Sequence, residues 1–181
     1  MNSLKGVNGV RGLNGALRQS ATALAVAGSA GVFLLACAAL LNAALRGAPI
    51  PAALHDGAVV AHVLAVCLAL PLGIAQLVLP KGTLRHRTLG YVWCALMVAT
   101  ALLSFAIHEI NPGGLSPIHF FSVVTLLSVP LIILNARAGR VAQHQRGVLI
   151  LVVSALVIAG SFTFLPNRAL GHLVLALWNR S

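Results

Sequence analysis

Acidic side chains are almost missing from this chain. Asp56 and Glu109 are the only two, against twelve Lys and Arg, and charged residues of all kinds make up 8% of 181 positions. Five long windows, 21–45, 57–79, 88–110, 118–136 and 147–165, contain no Lys, Arg or Asp, and Glu109 sits only at the end of the third. A soluble fold is thereby excluded. At 59% hydrophobic residues and a mean hydropathy of +0.98, the apolar surface exceeds what one core can hide, whereas lipid requires it. Cysteines are few as well. Cys37, Cys67 and Cys94 are mid-window and widely spaced, with neither metal-ligand spacing nor a disulfide framework, so free thiols are expected. No Walker loop, nucleophile elbow or dinucleotide fingerprint occurs, which removes a soluble flavin or nicotinamide site.

What is present is a ladder of apolar segments, each long enough to cross the roughly 30 Å hydrocarbon core as a helix of about 20 residues. The expected fold is an all-α integral membrane protein with five transmembrane helices. Helices 2–5 should form a four-helix bundle of two repeated hairpins. Three regions follow: a basic Gly-repeat lead-in at 1–20, a single membrane domain at 21–166, and an interfacial tail at 167–181. The first apolar segment, about 25 residues long, exceeds a typical signal-peptide core and is kept as a helix.

Cations alternate between the two sides of this ladder. Lys5, Arg11, Arg18, Lys81, Arg85, Arg87, Arg137, Arg140 and Arg146 fall on one side, and Arg46, Arg168 and Arg180 on the other. The positive-inside rule then predicts a multi-pass protein of the bacterial inner membrane, N-terminus cytoplasmic and C-terminus outside. The positive charge is placed for a bilayer, not for nucleic acid. Gly6, Gly9, Gly12 and Gly15 predict a flexible or membrane-surface lead-in. RGAPIPAALHD reads as an extended outer loop, and Asn111-Pro112-Gly113-Gly114 as a tight outer turn. The stretch after Pro166 is too short to span, and Trp178 with Arg180 suggests an interfacial helix.

Histidines carry the chemistry. His62 and His86 are 24 positions apart, His119 and His144 are 25 apart, and each pair brackets a segment with an internal proline, Pro71 or Pro130. His62 lies 17 residues before Leu79 and His119 lies 17 before Ala136, which predicts equal depth, roughly 25 Å above the inner boundary. His86 and His144 fall in basic loops at the inner face. Low-spin b-type haem takes two neutral imidazoles from different helices, and its propionates seek surface cations. Arg85, Arg87 and Lys81 stand beside His86, Arg140 and Arg146 flank His144, and Arg46 and Arg168 serve the outer side. Ala58, Ala61 and Ala65 leave room for a flat ring near the outer ligands. The plain alternative is interfacial histidine reaching headgroups and water; His55 and His172 read that way. His62, His108 and His119, with Glu109 or Asp56, form an alternative set for zinc, copper or iron. Gln76, Ser104, Ser122 and Ser161 read as interhelical hydrogen-bond partners.

The stretch from His62 through Arg146 resembles a bacterial family described as predicted membrane protein of unknown function (DUF2306 type). The carriers are His62, Gly73 and Gln76 in GIAQL, His86-Arg87 with Gly90-Tyr91 in HRTLGY, the SPIH segment and the ARAGRVAQHQRG loop. They span the last two-thirds of the chain. Gln145 separates His144 from Arg146, where the resemblance leads us to expect a direct His–Arg pair. That family brings no activity with it. The order of histidines is also similar, in pattern only, to the ascorbate-reducible di-haem b-type cytochromes. That similarity implies His62 with His119 and His86 with His144, one or two haem b groups, and a quinol or small reductant as partner. Two other readings stay open. One is a non-catalytic accessory subunit of a larger membrane complex without a cofactor; the other is a metal- or proton-handling membrane protein using outer histidines. Against the latter, no span carries a central carboxylate.

Overall fold

A computed structural model describes residues 2–46, 51–107, 114–166 and 168–178. Among these residues the ordered structure is helical, with no strand. Five helices are long and apolar enough to cross a membrane. They are α1 (Asn2–Arg46), α2 (Gly57–Val78), α3 (Leu84–Ser104), α4 (His119–Arg137) and α5 (Val141–Phe164).

Helix starts follow from local chemistry. The Asp56 carboxylate accepts the Ala58 N–H at 2.7 Å and caps α2. Thr83 Oγ accepts the His86 N–H at 3.2 Å and caps α3. This cap starts α3 four residues ahead of the apolar window. Gly82 (φ +77°) and Gly139 (φ +68°) take the left-handed backbone that lets two very short connections reverse the chain. His86 and His144 therefore sit in the opening turns of α3 and α5, not in loops as the hydropathy windows implied.

Successive helices α2 to α5 pack as neighbours, and α1 lies against α2 and the middle of α5. That middle is a π-helical stretch, Val152–Ile158. A Cβ on Gly28 of α1 would stand 2.9 Å from a Val157 methyl, so the close approach of α1 depends on that glycine. All five helices feed one core, including Ala25, Leu70, Trp93, Met97, Ile132, Leu151 and Leu156. Outward-facing leucines such as Leu24, Leu64, Leu68 and Leu127 are more than half exposed, as a lipid-facing surface requires.

Two expectations change. The glycine-repeat lead-in is helical and continuous with α1, because each added residue extends an existing helix without a new nucleation cost. The expected extended outer loop contains a 3-10 turn, Ala52–His55; its residues 47–50 lie outside the described residues. The C-terminal helix, Ala169–Trp178, packs on α1 through Leu170 and Leu173 against Ala36 and Ala39. The Asn111–Gly114 turn, apart from Gly114, lies outside the described residues, as do His108, Glu109 and Arg180. Pro71 and Pro130 sit within unbroken α2 and α4.

Candidate functional site

The α2–α3 and α4–α5 connections meet at one end of the bundle, here called the basic end. Thr83 caps α3 so that His86, in its first turn, faces the bundle. The α5 start does the same for His144. Their ring centroids are 6.4 Å apart with planes at 82°. Both rings are half-buried. His144 Nδ1–H donates to the Ile132 carbonyl at 3.0 Å, since a carbonyl can only accept. The Gln76 amide NH2 donates to the His86 carbonyl and to His86 Nδ1, and its oxygen accepts the Gly90 N–H, each at 3.2 Å. Each ring is thus held to helix through Nδ1, and among the described residues neither Nε2 has a hydrogen bond. Gly90 matters here: a Cβ in its place would stand 3.2 Å from the end of the Gln76 side-chain amide.

Around the pair lies a cavity of about 1180 Å³. Its upper wall is apolar, with Trp93, Cys94, Ile132, Val148 and Leu149, and its rim carries Arg18, Lys81, Arg87, Arg137 and Arg146. No carboxylate lines it among the described residues. Of the cations expected beside the histidines, Arg87 and Arg146 line the cavity. Arg85 is exposed away from it, and Arg140 donates to the Asn135 side-chain oxygen at 2.8 Å. Lys81 is committed to carbonyls at the end of α2, Leu77 and Leu79. Sequence reading missed Arg18, which reaches across from α1 to the Gln145 side chain, and Arg137, which lies 6.0 Å over the Tyr91 ring. The Arg18 contact could not be foreseen without knowing that α1 packs beside α5. Arg137 had a signal: it ends α4 one helix away from the HRTLGY tyrosine.

The opposite end is built differently. His119 Nδ1 accepts the Ser116 N–H at 2.8 Å, which places its proton on Nε2, and Nε2–H donates to the Ser104 carbonyl at 2.9 Å. The ring is 4% exposed and stacks on Phe105 with centroids 5.5 Å apart. It ties the end of α3 to the start of α4, with Ser104 and Ser122 hydroxyls bonded beside it. His62 Nδ1–H donates to the Thr100 carbonyl at 3.0 Å. His62 and His119 therefore dock on the same helix at carbonyls four residues apart, a rise of about 6 Å, not at one depth. Both nitrogens of His119 are already used, so a metal there would displace one of these bonds. Among the described residues no group of three His, Cys, Asp or Glu side chains converges; His108 of the three-histidine set lies outside them. Arg46 and His172 are exposed, and Arg168 is half-buried near the C-terminal helix. Gln76, Ser104 and Ser122 do bond between helices, whereas Ser161 donates to Val157 of its own helix at 2.6 Å.

Comparison with known proteins adds one relation. No curated protein and no solved structure matches the chain. The family described as "Predicted membrane protein (DUF2306)" matches residues 59–160, over half of the chain and nearly all of helices α2 to α5, and the chain belongs to that family.

Proposed function

We propose that this protein is a small b-type membrane cytochrome that holds one haem between His86 and His144 and passes electrons at its basic end. The observation that carries this reading is the 6.4 Å separation of the two rings, each tethered by Nδ1 with Nε2 uncommitted. Two imidazoles that share one metal ion through Nε2 would have their ring centres roughly 6 Å apart. Donating Nδ1–H to a carbonyl, as His144 does to Ile132, is the usual way a ligating histidine is oriented.

The surroundings fit the group. The cavity slightly exceeds the roughly 300–1,000 Å³ of ordinary ligand pockets, has an apolar ceiling for the macrocycle, and sets Arg87 and Arg146 at its rim for two propionates. Ligation through Nε2 needs the proton on Nδ1. His144 already has that tautomer. His86 reaches it when Gln76 turns its oxygen toward the ring, giving up its bonds to the His86 carbonyl and to the Gly90 N–H. When bound, haem would supply one-electron exchange; the chain's own residues orient it, neutralise its propionates and exclude water from above. The reductant in this reading is a quinol or other small donor, and the face is cytoplasmic by the distribution of charge.

A visible spectrum of the purified full-length protein, oxidised and then dithionite-reduced, tests the proposal. A Soret band near one haem per chain, lost in both His86→Ala and His144→Ala but kept in His62→Ala, is the expected result. No haem absorbance in protein made with ample haem supply, or unchanged spectra in the two inner variants, overturns it.

A further inference from the structure

A second depression adjoins the cavity. It is an apolar groove of about 460 Å³ between α3 and α4, lined by Tyr91, Cys94, Ala95, Val98, Ala99, Leu102, Val129 and Ile133. Tyr91, Cys94 and Ile133 also line the basic cavity, so the two share a wall. Ala95 and Ala99 follow Tyr91 at helical spacing of four, and their missing bulk makes the floor. At the junction Arg137 lies over the Tyr91 ring, with Nε donating to the hydroxyl at 3.4 Å. Charge decides what fits. Five cations rim the cavity, and the chain's two acids cannot answer them. Asp56 caps the far end of α2, and Glu109 follows the far end of α3 in sequence. Among the described residues no acid neutralises this rim, which leaves it open to an anion from outside the chain.

We infer that this groove seats one anionic phospholipid, with an acyl chain along Ala95, Ala99 and Val129 and its phosphate on Arg137 at the cavity mouth. Basic recesses between membrane helices select anionic headgroups in this way, and a guanidinium gives a phosphate two parallel donors. The inference is independent of haem: it rests on α3, α4 and the absence of acids.

Native mass spectrometry of the full chain in neutral detergent, supplied with phosphatidylglycerol or phosphatidylcholine, is the test. One equivalent of phosphatidylglycerol should be retained and phosphatidylcholine should not. Arg137→Gln should weaken retention about tenfold, as loss of a charged hydrogen bond does. Ala95→Phe, at an exposed groove position that keeps every charge, should weaken it comparably; Arg85→Gln, outside the cavity, should leave it unchanged. Equal retention of both lipids overturns the inference, as does equal loss from Arg85→Gln and Arg137→Gln, which would mean diffuse charge. Unaltered retention in Ala95→Phe also sinks it.

Discussion

At the residue scale, His62, His86, His119 and His144 are told apart by their hydrogen bonds. His119 is fully engaged: each nitrogen has a backbone partner and its face has Phe105. Replacing it with Ala leaves the Ser116 N–H and Ser104 carbonyl without it. The expected cost is about 1–3 kcal/mol in a detergent unfolding titration, with no change in any haem band. Gln76 acts through His86. Gln76→Leu should lower haem retention by about tenfold while leaving the helix content measured by circular dichroism unchanged, the effect expected of an outer-shell partner. Full haem retention in that variant would remove Gln76 from the site.

At the element scale, glycines set how near helices come. Gly28 and Gly31 share α1, but only Gly28 meets a neighbour, Val157 in the π-helical stretch, while nothing stands within 4 Å of a Cβ at Gly31. Gly28→Val should therefore destabilise by about 1–3 kcal/mol through overpacking. Gly31→Ala should stabilise slightly, by up to about 1 kcal/mol, because alanine is the better helix former. Thermal unfolding of both variants in one detergent distinguishes packing from propensity. Gly82 and Gly139 do a different job, and either →Ala change should cost about 1–2 kcal/mol through the left-handed backbone.

At the scale of the whole molecule, one end gathers the cations and both short connections, and the other gathers Asp56, His62 and His119. If charge directs insertion, the basic end is cytoplasmic. A chain lacking its three cysteines and carrying Arg140→Cys should react with a membrane-impermeant maleimide only in inverted vesicles. Labelling in right-side-out vesicles would reverse the orientation.

The class of fold was readable in advance because lipid imposes a one-dimensional rule: about 20 apolar residues per crossing, with charge only between crossings. That rule located α2, α4 and most of α3 and α5 without any contact being known. It could not locate the starts of α3 and α5, because caps such as Thr83 act by single hydrogen bonds that hydropathy averages away. Nor could it pair the histidines beyond supposing symmetry. The sequence by itself determined that His86 and His144 each stand beside arginines, between one apolar segment and the next. Only tertiary structure decided that these rings meet at 6.4 Å while His62 and His119 turn to α3 carbonyls. Side-chain direction depends on helix rotation and neighbour identity, and spacing along a chain encodes height but not the rotation of one helix about its axis.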